Sequence, residues 1–204
     1  MRIALAQINT TQAAFNENAR CIVENIHRAK SKGANVVIFP ELALPGYPSK
    51  DLLERNSYIQ QAQKTLQEVI APETQGMVAI IGTVTENQTN TGKPLFNAAA
   101  ILVNGKVHSW VYKTLLPTYD VFDETRYFEP NPSATSVTID KFNFRITLCE
   151  DIWTNARTIP ETQRYKRNPH GSPGPTVLRN RCRRRTRLAR RRTRRLRGHL
   201  HTCD

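Results

Sequence analysis

Thr147-Leu148-Cys149-Glu150-Asp151-Ile152-Trp153 places a cysteine at the end of an apolar run and directly before two carboxylates. Residues 142–148 alternate apolar and polar side chains, which predicts a β-strand that carries the Cys149 sulfur to a sheet edge, where a turn exposes it. A free cysteine is more often buried and inert than reactive. Cys149 is therefore interpreted as a nucleophile only if the rest of the chain supplies partners.

Two partners occupy equivalent places in the sequence. Glu41 follows a predicted strand at residues 35–39, and Lys113 follows another at residues 106–112. Ligand-binding groups of α/β sheets gather beyond strand ends, so we expect Glu41, Lys113 and Cys149 to lie within about 6 Å of one another. A carboxylate can take the thiol proton, and a fixed ammonium can stabilise the oxyanion formed when sulfur attacks a carbonyl. Such a set would transfer an acyl group from an amide.

An arbitrary Glu or Lys at a strand end is more often solvated than catalytic. For Glu41, the following Pro45-Gly46-Tyr47-Pro48 favours a shaped, rigid loop over a solvated one. For Lys113, the apolar residues 114–117 predict a partly desolvated ammonium that needs a carboxylate partner. The residues from there to about Pro132 form a long connection, which favours a functional loop over a mere covering loop.

The order of predicted elements indicates an α/β fold. A buried strand at residues 2–8 and a helix ended by Gly33 lead to the strand at 35–39, and a second helix precedes strands at 78–84, 96–103 and 106–112. Asn104-Gly105 between two strand patterns predicts a hairpin. We expect Asn16 to cap the first helix. The apolar face of the second helix is predicted to comprise Ile59, Ala62, Leu66, Val69 and Ile70.

The charge of the chain is divided unevenly. Its net charge of +13 suggests a nucleic-acid or membrane binder. Residues 1–160, however, contain 15 Lys and Arg against 15 Asp and Glu, whereas residues 161–204 contain 15 against 2. No apolar run reaches membrane-spanning length, and no signal peptide is apparent. We therefore expect no membrane association, and the reducing cytoplasm suits a free thiol; Cys21 is interpreted as packing.

Three segments together carry a resemblance to a known family. They are residues 39–53, residues 112–130 and residues 148–153. In this order they resemble the nitrilase superfamily of carbon-nitrogen hydrolases, and most closely the amino-terminal glutaminase domains of glutamine-dependent NAD synthetases. The resemblance covers about residues 1–165. It implies a four-layer α-β-β-α sandwich, which is incomplete here because strands expected after Cys149 are missing.

The resemblance also implies roles for individual residues. Cys149 would attack the side-chain amide of glutamine, Glu41 would move protons, and Lys113 would hold the oxyanion. The glutamine site would be lined by Tyr47, Tyr119, Phe122 and Glu150, with Glu124 close to the catalytic centre.

The resemblance places no metal and no cofactor in this domain. ATP and Mg would belong to a synthetase domain, absent from this chain, that receives ammonia and amidates deamido-NAD. The intact enzyme would form a homo-oligomer. A free-standing amidase or nitrilase with the same triad is the alternative enzyme.

The last residues differ in character from the rest. Residues 168–178 are rich in Pro and Gly, and residues 179–197 contain 12 Arg and no Lys. We predict an incomplete hydrolase domain at 1–165 and a disordered basic tail at 166–204 that makes few contacts with the core. A tail read in a shifted frame explains this composition best.

Two other readings of the tail stay open. One is an Arg-rich nucleic-acid arm on an inactive scaffold, and the other is a metal site at His199, His201 and Cys203, which is the weakest. Because the tail replaces expected strands, we expect this chain to hydrolyse glutamine poorly or not at all.

Overall fold

The strands of the protein form two sheets in a computed structural model that describes residues 1–89, 91–132, 136–139, 142–153, 175–178 and 202–203. The larger sheet has the order β5-β4-β3-β2-β1-β9, and the smaller sheet has the order β6-β7-β8. The strands are β1 (Ile3–Leu5), β2 (Val36–Ile38), β3 (Val78–Glu86), β4 (Leu95–Val103), β5 (Lys106–Tyr112), β6 (Ser136–Ile139), β7 (Phe142–Leu148), β8 (Pro175–Leu178) and β9 (Thr202–Cys203).

Two helices cover one face of the larger sheet. They are α1 (Phe15–Ser31) and α2 (Asn56–Thr65), and α2 continues into a π-helical turn, Leu66–Ile70. Buried residues of both helices pack with Val37 of β2 and Ala79 and Ile81 of β3 in one core. The neighbouring residues Val36, Ile38 and Ile80 point the other way. This alternation buries both faces of the sheet.

The smaller sheet packs against the opposite face of the larger one. Val137 of β6 and Phe144 and Ile146 of β7 form a second core with the inward side chains of β2, β3, β4 and β5. The described residues thus build three layers: helices, the larger sheet and the smaller sheet. These three layers agree with the α-β-β-α sandwich that the family resemblance implies, and the outer helix layer on the smaller sheet is not among the described residues.

Strand pairing confirms the predicted order of elements. β1 pairs parallel to β2 and β2 parallel to β3, which the helical crossovers require. β3, β4 and β5 then run antiparallel. The hairpin between β4 and β5 turns at Asn104 and Gly105, whose φ angles of +48° and +83° suit a two-residue turn.

Two local predictions are wrong. Asn16 lies inside α1, which begins at Phe15; the N-cap position is Ala14, and no side chain caps the helix. Val69 is 49% exposed. It was predicted on the buried face, but the π-helical turn at Leu66–Ile70 changes the angle between successive side chains and rotates Val69 outward.

The predicted disordered tail, residues 166–204, lies mostly outside the described residues. Two short pieces of it pair as strands: β8 lies parallel to β7, and β9 lies antiparallel to β1. For the remainder, disorder stays a prediction. In the described part of the chain, no helix combines the length and apolar character needed to cross a bilayer.

Gly82 of β3 lets the sheet approach the loop that begins at Pro40. A Cβ added to Gly82 would lie 2.2 Å from the Pro40 carbonyl oxygen and 2.5 Å from the Leu42 nitrogen. Both contacts are with backbone atoms, which cannot rotate away. The Leu44 N–H also donates to the Gly82 carbonyl at 3.1 Å. Glu41 is therefore fixed against β3 by a contact that only glycine permits.

We expect Gly82→Ala to lower the free energy of unfolding by about 1–3 kcal/mol, as overpacking in a core does. Urea denaturation would measure this loss. Gly76→Ala is the control, because a Cβ there meets nothing within 4 Å although its φ of +74° adds backbone strain. Only Gly82→Ala should also change the alkylation rate of Cys149, because only that change displaces Glu41, whose charge raises the thiol pKa. Equal alkylation rates in both variants would contradict this account of Gly82.

Candidate active site

Lys113 lies directly after β5 and is completely buried, with 0% exposure. Its Nζ donates to Glu41 Oε1 at 2.7 Å and to Glu124 Oε1 and Oε2 at 2.8 Å each. The sequence predicted partial desolvation and one carboxylate partner; the structure shows full burial and two. Burial lowers the pKa of Lys113, but the charges of Glu41 and Glu124 outweigh it and the net pKa is raised. The ammonium is therefore permanently charged at neutral pH.

Glu41 follows β2 in a buried loop. Its exposure is 1%, and residues 40–46 are all buried, so the predicted shaped loop is confirmed. Asn18 of α1 fastens the loop by donating to the Leu44 carbonyl at 2.9 Å, and Tyr58 of α2 donates to the Pro45 carbonyl at 2.8 Å. Both helices thus hold the Glu41 carboxylate against Lys113.

Cys149 begins the 3-10 turn that follows β7. Its φ of +45° lies in the left-handed region, a strained conformation for a residue with a Cβ. The residue is half-buried, so the turn exposes the thiol only in part. Burial, the charge of Glu41 and a hydrogen bond to Glu41 raise the pKa of the Cys149 thiol to about 12, while Lys113 opposes the rise. The thiol is therefore protonated at neutral pH and rests against Glu41.

Glu124 belongs to a short 3-10 helix, Glu124–Arg126, in the long connection after β5. It is buried and faces both Lys113 and Glu41. Burial first, and then the charge of Glu41, raise the pKa of Glu124 to about 7, although Lys113 lowers it. The second carboxylate of the cluster is therefore a group whose proton can come and go near neutral pH.

Asp151 joins the Lys113 segment to the Cys149 segment, a contact that sequence reasoning missed. Its Oδ1 accepts hydrogen bonds from the N–H groups of Thr114 (3.1 Å) and Leu115 (2.8 Å), and its Oδ2 accepts one from the N–H of Leu148 (3.1 Å). These groups flank Lys113 and Cys149 in the sequence. The only signal for Asp151 was its place two residues after the cysteine, which does not reveal its partners.

Asn97 of β4 is the second residue that sequence reasoning missed. Its Nδ2 donates to Glu41 Oε1 at 2.7 Å and to Glu124 Oε2 at 3.4 Å. Its backbone carbonyl oxygen accepts a hydrogen bond from the backbone N–H of Lys113 at 2.9 Å. An uncharged polar residue inside the otherwise apolar strand pattern at 96–103 was the available signal.

The four residues predicted to line a substrate site lie in one continuous patch. The rings of Tyr47 and Phe122 are 6.4 Å apart, and those of Phe122 and Tyr119 are 5.6 Å apart. The Tyr119 hydroxyl donates to Glu150 Oε2 at 2.9 Å. Glu150 follows Cys149 directly, so the patch begins beside the thiol. Tyr119 is 56% exposed and forms the outer part of this patch.

A cavity of about 290 Å³ is lined in part by Tyr47. Its lining includes Tyr47, Asp51, Glu124, Arg126 and Tyr127, but none of Glu41, Lys113 and Cys149. Arg126 contacts Asp51 at 3.6 Å, and the Tyr127 hydroxyl donates to Asp51. The cavity therefore touches the buried charge cluster only through Glu124.

Metal binding finds no support among the described residues, where no three His, Cys, Asp or Glu side chains converge for it. His199 and His201 lie outside the described residues, and so does the side chain of Cys203. The arrangement at Glu41, Lys113 and Cys149 instead suits acyl transfer. Glu41 can accept the thiol proton as sulfur attacks, and Lys113 supplies fixed positive charge beside the reacting groups.

Comparison with known proteins places this arrangement in a family. The carbon-nitrogen hydrolase family matches residues 2–162. A glutamine-dependent NAD(+) synthetase from Synechocystis sp. is 39% identical over 156 residues, which cover 75% of this chain and 28% of that protein. The corresponding enzyme from Thermotoga maritima is 36% identical over 155 residues, which cover 75% of this chain and 26% of that protein. The chain thus spans little more than a quarter of the length of these relatives.

Solved structures agree with the sequence comparison. A glutamine-dependent NAD+ synthetase from Acinetobacter baumannii superposes with a TM-score of 0.64 at 36% identity, over 75% of this chain and 28% of that chain. An amidase from Nesterenkonia sp. superposes with a TM-score of 0.61 at 19% identity, over 74% of this chain and 56% of that chain. At that identity the amidase shows the shared fold alone.

We expect Glu41→Gln to lower the pKa of the Cys149 thiol, because the charge of Glu41 and its hydrogen bond both raise that pKa. The thiolate would then form at lower pH than in the parent protein. Ultraviolet titration of the thiolate would measure the change in a background with Cys21, Cys182 and Cys203 replaced by Ser. Glu68→Gln, at an exposed carboxylate, is the control. An unchanged or higher thiol pKa in Glu41→Gln would show that Glu41 does not act on Cys149.

Proposed function

The chain belongs to the carbon-nitrogen hydrolase family, and we propose that it is the glutamine amidohydrolase part of a glutamine-dependent NAD synthetase. The family and the curated relatives support a hydrolase role. The observation that carries the proposal is the buried contact of Lys113 with Glu41, beside a cysteine whose thiol hydrogen-bonds to the same carboxylate.

The first half of the proposed reaction releases ammonia. The Cys149 thiol gives its proton to Glu41 while sulfur forms a bond to the amide carbon of glutamine, because a thiol with a pKa near 12 is not ionised beforehand. Lys113 stabilises the resulting oxyanion. Glu41 then returns the proton to the amide nitrogen, the carbon-nitrogen bond breaks, and ammonia leaves a glutamyl thioester on Cys149.

Water completes the proposed cycle. Glu41 takes a proton from water as the water oxygen attacks the thioester carbon. The Cys149 sulfur then leaves and regains that proton from Glu41. Glutamate is released, and the site returns to its starting state.

Lys113 keeps a donor for the oxyanion in this proposal. An ammonium has three N–H donors, and its contacts with Glu124 Oε1 and Oε2 have equal lengths of 2.8 Å. A single N–H pointing between the two oxygens can serve both contacts, and a second serves Glu41. The third N–H is then available to a substrate oxygen.

The aromatic patch supports a small zwitterionic substrate. Tyr47, Tyr119 and Phe122 would pack on the aliphatic part of glutamine, and Glu150 would pair with its α-ammonium. The ammonia would serve a separate synthetase region that amidates deamido-NAD with ATP and Mg. We propose no metal or cofactor for the domain in this chain, and a homo-oligomer for the intact enzyme.

A γ-diazoketone analogue of glutamine should label Cys149, as followed by peptide mass spectrometry. Glutamine should protect Cys149 from the label, and acetamide should not, which separates a glutaminase from a general amidase. Glu41→Gln should slow labelling by at least about 100-fold, the usual contribution of a positioned base. Labelling does not require complete turnover, so it also tests a chain that hydrolyses glutamine slowly.

Glu150→Gln is the matched variant for substrate recognition. It should weaken protection by glutamine but leave the alkylation of Cys149 by iodoacetamide unchanged, since it touches the α-ammonium and not the thiol. Cys149→Ala is the blank. Equal protection by glutamine and acetamide would contradict the proposed substrate, and labelling at other cysteines instead of Cys149 would contradict the proposed nucleophile.

A further inference from the structure

Asn97 forms hydrogen bonds with Glu41, Lys113 and Glu124. Its side chain is completely buried. Nδ2 lies 2.7 Å from Glu41 Oε1 and 3.4 Å from Glu124 Oε2. The backbone carbonyl oxygen of Asn97 accepts a hydrogen bond from the backbone N–H of Lys113. A single position on β4 therefore sets the spacing of all three ionisable groups.

The charges of this cluster do not balance when every group is ionised. One ammonium faces two carboxylates, which leaves one negative charge in a buried site, and burial of net charge is costly. Cys149 meets the same charges from the end of β7, and Asp151 interacts with Lys113 from the following turn. A proton bound by one of the two carboxylates near neutral pH removes the excess charge.

The two carboxylates are not equivalent toward Asn97. The amide donates a short hydrogen bond to Glu41 and a long one to Glu124, and a donor favours the ionised form of the group that it contacts most closely. The raised pKa of Glu124, about 7, agrees with this asymmetry. Ionised Glu41 is the form that can accept the thiol proton.

The side-chain amide oxygen of Asn97 gives a second argument that Asn97 does more than fill space. Oδ1 is buried and has no hydrogen-bond partner among the described residues. An unsatisfied buried oxygen is destabilising, so a residue that only filled space would be better apolar. The opposite amide orientation would point this oxygen at two carboxylates, which is worse. The orientation thus keeps the donor on the carboxylates at the expense of the oxygen.

We propose that Asn97 is a positioning residue that keeps Glu41 ionised and directs the proton of the buried cluster onto Glu124. This inference rests on the proposed function insofar as Glu41 is the base for Cys149. Asn97 does not touch the reacting atoms. It acts by making the two carboxylates unequal, so that one is ready to accept a proton while the other carries the proton that balances the charge.

The test is the pH profile of Cys149 alkylation by iodoacetamide in the full chain, with Cys21, Cys182 and Cys203 replaced by Ser. Asn97→Leu has a similar volume and no donor. Less ionised Glu41 raises the thiol pKa less, so Asn97→Leu should move the rising limb of the profile down by about one pH unit. The rate at pH 7 should rise about tenfold, the effect of losing one hydrogen bond to a charged group. A profile that coincides with that of the parent would overturn the proposal.

Thr83→Val is the matched control. Thr83 lies on the neighbouring strand, and its buried hydroxyl has no partner among the described residues. This substitution perturbs the same sheet without touching the cluster, so its profile should match that of the parent. If Thr83→Val shifts the profile as much as Asn97→Leu, Asn97 has only a packing role.

Infrared spectroscopy gives a second measurement that does not depend on Asn97→Leu folding. In the parent chain below the pKa of Glu124, the band of a protonated carboxyl should be present, and it should disappear in Glu124→Gln. In Glu41→Gln the band should persist but titrate at lower pH, because the charge of Glu41 raises the pKa of Glu124. Disappearance in Glu41→Gln alone would overturn the proposal. Alkylation and infrared spectra do not involve glutamine, so failure of the proposed function and failure of this inference are distinguishable.

Discussion

The burial of the Lys113 ammonium between two carboxylates is the constraint on which the rest of the structure depends. An ammonium removed from water loses several kcal/mol of solvation, and only close, well-directed partners restore it. Glu41 and Glu124 do so at 2.7 and 2.8 Å, and Asn97 binds both of them. These groups come from segments far apart in the sequence. The charge cluster therefore fixes the ends of β2 and β5 and the long connection after β5 relative to one another.

The fold supplies this precision through backbone contacts. Gly82 lets the Glu41 loop lie directly on β3. Asp151 accepts hydrogen bonds from the N–H groups of Leu115, near Lys113, and of Leu148, next to Cys149. The strained φ of Cys149 is held in the same turn. These backbone contacts thus hold the neutral Cys149 thiol against Glu41 at one end of the larger sheet.

Much of this site could be predicted from the sequence, because strand ends mark places where side chains converge. Glu41, Lys113 and Cys149 each follow an apolar or alternating run, and the three groups lie together as expected. Asn97 and Asp151 could not be assigned, because their partners are backbone and carboxylate groups that only the folded chain brings near. Val69 was misplaced for a different reason: a π-helical turn changes the periodicity on which the prediction relied.

The most direct measurement of the central role of this charge cluster is a mutant cycle on the free energy of unfolding, above the pKa of Glu124. Lys113→Met alone should cost about 3–5 kcal/mol, because it leaves two buried carboxylates unpaired. Adding Glu41→Gln and Glu124→Gln to Lys113→Met should restore more than about half of that loss. If the losses of the three substitutions simply add, the buried ammonium and its carboxylates do not act as one unit, and this account is contradicted.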